Sequence, residues 1–174
     1  MKKMLCLVMV LMMSLIAISA FAAGSITGGD ITTTTVSEPT ISLEIIEDTE
    51  ESAAVIDAFK DAFDAGDVLA ALPDSIRAAL PEDAKAINEM VTTRFAGDVA
   101  SVTSDVAVNI VFDTQYPAGE SVSVLFGKLG GEEVAWTVLN GTVQEDGSVN
   151  VTVPLSLLQS VQNEAFVLAV VSAE

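Results

Sequence analysis

From residue 106 onward, apolar and polar positions alternate almost without interruption. Val106, Val108, Ile110 and Phe112 fall on one side of an extended chain, with Ala107, Asn109 and Val111 on the other. Successive side chains of a strand point to opposite faces, so this spacing predicts a half-buried strand. Val122, Val124 and Phe126 repeat the pattern, followed by Val134, Trp136 and Val138, and then by Val149, Val151 and Val153. Residues 166–171 are apolar at every position, as expected for a central strand covered on both faces. Turn chemistry separates the runs: Tyr116-Pro117-Ala118-Gly119, then Gly127, Gly130 and Gly131, then Asp146-Gly147. Short strands spaced by turn signals about every 8–12 residues predict an antiparallel sandwich or small barrel. At Asp146-Gly147 the expectation is a two-residue type I′ turn with Glu145 solvated beside it. These carboxylates then serve a hairpin and no reaction.

Upstream the period changes. Ile41, Leu43 and Ile45 alternate with Ser42 and Glu44, predicting a short strand. Ile56, Phe59 and Phe63 recur at helical spacing; Asp48 is the expected N-cap, Glu51 its N3 partner and Gly66 the stop. The stripe over residues 55–63 is expected to cover the sheet, its simpler use, with docking of a partner as the alternative. Two helical turns fit residues 68–72 and 75–80, because Pro73 and Pro81 suit first turns but not helix interiors. A third turn is expected over 81–86. Val91, Thr93 and Phe95 then alternate up to Gly97-Asp98, predicting another strand.

The N-terminus reads differently again. Lys2 and Lys3 precede an apolar run, and Ala20-Phe21-Ala22 supplies a small-x-small cleavage pattern, so residues 1–22 are expected to be a signal peptide, with a transmembrane anchor as the alternative. Cys6 lies early in that run, away from the cleavage point, which argues against a lipid anchor. Residues 23–40, with four consecutive threonines and Pro39, are expected to be a flexible linker. The domain reading is completed by a strand and helical segment at 41–87 and a β-sandwich at 88–174. In fold class this is α+β: a small helical segment followed by an antiparallel immunoglobulin-like β-sandwich.

The C-terminal half also resembles a β-sandwich module of secreted and surface proteins of anaerobic bacteria. The resemblance rests on residues 106–112, Pro117 with Gly119, Val122 with Val124 and Leu125, Trp136, and Asp146-Gly147 ahead of Val149. Where that module has a Ser-Pro pair before its last strand, this chain has Gln162-Asn163-Glu164-Ala165. The resemblance implies a sandwich and a surface context, and it carries no catalytic residue.

Charge narrows the partners. Beyond residue 22 only Lys60, Arg77, Lys85, Arg94 and Lys128 oppose all twenty-five acidic residues. A surface so acidic repels phosphate backbones and anionic lipid heads, so no nucleic-acid partner is expected; with the signal peptide removed, no membrane span is expected either. The chain has no His, and its single Cys is Cys6. The usual zinc, copper and haem ligands and the Ser-His-Asp and Cys-His machineries are therefore missing from the exported part, and no cofactor is expected.

Carboxylates are the remaining chemistry. Asp61, Asp64 and Asp67 are evenly spaced, but an EF-hand loop starting at Asp61 would place Phe63 and Ala65 at ligand positions, so no metal site is expected there. Paired acids for glycoside hydrolysis are inevitable among so many, and the aromatic platforms that sugars use are scarce: one Trp, one Tyr. Trp136 is read as a core residue. Asn140-Gly-Thr142 and Asn150-Val-Thr152 match the glycosylation pattern, which a bacterial exporter leaves bare. The expected function is a non-catalytic secreted or surface-associated module that binds an extracellular protein or surface polymer, with no catalytic, cofactor or metal residue assigned. The alternatives are a carboxylate-dependent extracellular hydrolase and a ligand-free structural spacer.

Overall fold

The computed structural model describes residues 31–112 and 116–172. The expected signal peptide, Cys6 and residues 23–30 of the expected linker lie outside the described residues. Eight strands carry the fold: β1 (Ile31–Val36), β2 (Ile41–Ile45), β3 (Ala86–Gly97), β4 (Val106–Phe112), β5 (Ser121–Lys128), β6 (Ala135–Val143), β7 (Val149–Val153) and β8 (Phe166–Ser172). The helices are α1 (Glu50–Asp64), α2 (Asp74–Arg77) and α3 (Leu155–Ser160), with single 3-10 turns at Val68–Ala71 and Val99–Ser101.

A β-rich antiparallel fold with a small helical segment is what the structure has. Its strands form one sheet in the order β1-β4-β7-β6-β5-β8-β3-β2, whereas the sequence suggested two facing sheets. That ladder curls until its two edge strands meet. The turn between β1 and β2 brings them together, and the Thr34 hydroxyl donates to the Leu43 carbonyl at 2.6 Å across the seam. The result is barrel-like, and curling removes most of the free edge that an open sheet would expose.

Alternation along each strand sorts the apolar residues into two clusters. Val106, Val108, Ile110, Val122, Val124, Phe126, Val149 and Val151 point inward with Leu43, Phe95, Phe166 and Leu168. Phe166 stacks between Phe95 and Phe126, at centroid distances of 5.4 and 5.2 Å. At one end α3 inserts Leu158 into this cluster, beside Val99, Val102 and Val161. The opposite set on β8, Val167, Ala169 and Val171, belongs to a second cluster with Leu125, Ile56, Phe59, Val68 and Leu72. So α1 and the chain behind it form an outer layer over β3, β8 and β5. Strand β8 is buried at every residue, as its sequence predicts.

Several expectations are corrected. Residues 31–36, assigned to the linker, form β1 and pair with β4 from Ile31↔Phe112 to Val36↔Val108. Threonine is β-branched and sits well on a half-exposed edge strand, so a tract that reads as low complexity is held by its neighbour. The boundary drawn between 87 and 88 falls inside β3. That strand starts at Ala86, where a helical turn was expected, because β8 supplies it with a partner from Ala86↔Ser172 onward. A bulge between Ile87 and Glu89 keeps both Ile87 and Met90 on the outer, helix-covered face. Phe63, placed on the buried stripe of α1, is 42% exposed near the helix end.

The α1 cap lies one residue later than expected. Thr49 is the N-cap: its Oγ1 accepts from the Ser52 amide at 3.1 Å, and the Thr49 amide donates to Ser52 Oγ at 2.8 Å. Asp48 instead accepts from Thr92 Oγ1 at 2.5 Å, tying the helix entry to β3.

Candidate functional site

The hairpin at Asp146-Gly147 resolves first. Gly147 has φ +82° while Asp146 does not enter the positive region, so the type I′ turn, which needs both, is not formed. The Gly147 amide donates to Gln144 O at 3.0 Å and the Gln144 amide to Ser148 O at 2.7 Å. This is a three-residue loop, a tight turn followed by a left-handed glycine. Asp146 Oδ1 accepts from Ser148 Oγ at 2.7 Å and from the Ser148 amide at 3.0 Å. Those bonds hold its carboxyl below the ordinary 3.8, against a smaller opposing effect of desolvation. The carboxylate closes the turn. It stands exposed and belongs to no cleft.

Two concavities lie elsewhere, along α1. On this helix Glu51, Ala54, Val55 and Ala58 fall at i, i+3, i+4 and i+7, one face beside the buried stripe. Facing them is the β5–β6 connection, anchored by buried Leu129. Small side chains at 54 and 58 leave a groove of ≈ 580 Å³ lined by Val55, Phe59, Leu72 and Trp136. Trp136 meets Phe59 edge to face at 5.6 Å. Its ring lies over Gly127, the cross-strand partner in β5, where an added Cβ would come within 2.7 Å of it. Glycine is required there for close approach. Gly127, expected to open a turn, is thus a strand residue that makes room for the tryptophan.

Towards the start of α1 the groove opens into a hollow of ≈ 810 Å³ bounded by Glu50, Glu51, Glu133, Glu164 and Lys128. A smaller recess of ≈ 220 Å³ lies between them, and Glu133 borders all three. Lys128 Nζ is 3.7 Å from Glu164 and donates to Ser160 O at 2.5 Å. The hollow is therefore acidic and its one ammonium is engaged. Volumes of this size fall in the range of ligand pockets, about 300–1,000 Å³, and the make-up is an apolar floor with a polar rim.

Reading Trp136 as core captures only part of its environment. It is half-buried, packed on the outer cluster, and its free surface lines the groove. Missed altogether were Ala54 and Ala58, whose importance lies in what they leave open. A Trp and two helix alanines carry no local pattern that links them. The other candidates are dispersed. Asp61 and Asp64 are exposed on α1 and Asp67 is exposed beyond its end. Among the described residues no group of three or more acids is placed to hold a metal. Asn140 is exposed on β6, and Asn150 donates its side-chain amide to Asn109 Oδ1 at 2.9 Å. Glu89 is the one buried acid among the described residues, and its register opposite Val170 sets it on the inner face of β3, away from the groove. Among the described residues no helix is long and apolar enough to cross a membrane. Comparison with known proteins finds no matching family model, curated protein or solved structure.

Proposed function

We propose that this chain is an exported, non-catalytic binding module, secreted or held at the cell surface, that takes an extracellular protein or surface polymer into the groove along α1. The observation that carries this reading is the apolar groove along α1, where half-buried Trp136 and Val55 flank the buried Phe59 and the small, exposed Ala54 and Ala58 leave the space open. Folding alone does not call for it: a larger residue at either alanine would close the floor at no cost to the inner cluster. Apolar floors with polar rims are the usual anchor points of recognition surfaces. The immunoglobulin-like relationship of residues 88–174 is part of the same proposal, supported by the alternating strands and the tryptophan-bearing strand β6.

Ala54→Lys tests the reading, because position 54 is exposed and a lysine there occupies the groove without entering the inner cluster. Used as bait on cell-envelope material, the chain from residue 23 should retain one stoichiometric partner that the Ala54→Lys protein loses. Equal retention by both proteins would place binding elsewhere. Turnover of glycans by the purified chain would replace binding with hydrolysis.

A further inference from the structure

We propose that the groove is built for a cationic polypeptide segment carrying one large apolar side chain, which seats against Trp136 while its Lys or Arg side chains meet the acidic rim. This rests on the groove being the binding site. The charge argument is separate from the apolar one. Glu50 and Glu51 are accounted for by the fold, since carboxylates in the first turn of α1 complement its dipole. No such need exists at Glu132 and Glu133. They sit on the exposed β5–β6 connection, beyond the end of any helix, and among the described residues no ion pair reaches them. Two carboxylates adjacent in sequence repel one another, and a bound cation would relieve that repulsion where Glu133 borders the apolar groove and both line the recess beside it. The part of the half-buried Trp136 ring that lines the groove adds aromatic surface that attracts a guanidinium or ammonium.

The other occupants fit less well. A neutral glycan would use the floor and leave the rim uncompensated. A second copy of this chain has little to offer: beyond residue 22 it has five basic side chains. Lys60, Arg77, Arg94 and Lys128 are each paired with an acid of their own chain. Cationic charge and a large apolar side chain on one strand of polymer is polypeptide chemistry.

Trp136 is the only tryptophan, so its emission reports the groove directly. The probes are synthetic peptides of about ten residues (a probe length, not a fitted footprint) with lysines flanking a central phenylalanine. Control peptides replace the lysines by serine or by glutamate, or the phenylalanine by serine. The lysine–phenylalanine peptide should shift the emission to the blue and bind about tenfold more weakly when salt is raised to ~0.5 M, where screening lengths fall to a few Å. Glu133→Lys should weaken it several-fold, and removal of the phenylalanine should abolish the emission shift. Equal binding of the serine peptide, without salt dependence, would overturn the cationic preference and leave the groove intact as a site. Failure of every peptide, with a neutral oligosaccharide shifting the emission, would overturn the polypeptide assignment. Failure of all probes in a folded protein whose Ala54→Lys variant behaves identically would remove the groove reading itself.

Discussion

Asp146 shows how a side chain can look reactive and be architectural. Both of its hydrogen bonds are to Ser148, and they favour the ionised form, so its folded pKa lies below 3.8. A depressed acid contributes stability that is fully present above its unfolded value and is lost as the pH falls through the lower folded one. The 144–148 hairpin should therefore loosen only in acid. An NMR titration of the Asp146 carboxyl should give a midpoint below 3.8, and Ser148→Ala should move it back up. Gly127 presents the opposite case, a residue chosen for what it lacks. Alanine there brings a methyl to 2.7 Å from the Trp136 ring, so the indole must tilt outward. Gly127→Ala should cost about 1–3 kcal/mol, the usual range for overpacking, and shift Trp136 emission to the red. An unchanged spectrum would mean that the ring does not rest on β5.

Among elements, α1 is the clearest test of local reading. Its existence and its buried face at Ile56 and Phe59 follow from spacing alone. Its first residue does not, because Asp48 and Thr49 are both good caps and the choice lies with β3. Thr92 takes up the Asp48 carboxylate, and Thr49 is left to close the box with Ser52. Thr49→Ala should cost about 1 kcal/mol and speed amide exchange in the first turn of α1. Asp48→Ala should leave that first turn protected. The reverse pattern would restore Asp48 as the cap. β1 teaches a related point. Its threonines have no apolar alternation, and its pairing with β4 is what makes it a strand. On the outward side, Thr35, Asn109, Asn150 and Thr142 lie in one row across β1, β4, β7 and β6. Nothing among the described residues covers this row, which is why the alternation there is clean. Under the helical layer, by contrast, residues 166–171 of β8 are apolar on both faces.

For the whole molecule, the shared strand β8 ties the two clusters into one cooperative unit. Its inward residues belong to the barrel interior and its outward ones to the helical layer. A fragment of residues 88–174, the domain suggested by the alternating pattern, would lose β1, β2, the start of β3 and α1 together. It would expose Val167, Ala169 and Val171, so it should fail to show a cooperative melt, while the chain from residue 23 should melt in one transition. An independently stable fragment would refute the single unit. The seam offers a gentler test. Thr34→Val removes the hydroxyl that bridges β1 to Leu43 O, a bond of about 0.5–1.5 kcal/mol in net terms. Amides of β1 and β2 should then exchange faster while those of β5 and β8 keep their protection.

What the chain's own order of residues determined was the set of strands after residue 106, their inward valines, the doubly buried last strand and the amphipathic α1. Each is a local consequence of water acting on positions two, three or four residues apart. Tertiary structure alone decided the curl into one sheet, the recruitment of β1, the early start of β3 and the partial exposure of Trp136. Those depend on which strands become neighbours, and Thr93 meets the Phe166 carbonyl across 73 positions of sequence. The groove belongs to the second group. It is a space left between a helix face and a hairpin, and it exists only once β6 has laid Trp136 over Gly127 and α1 has brought two alanines alongside.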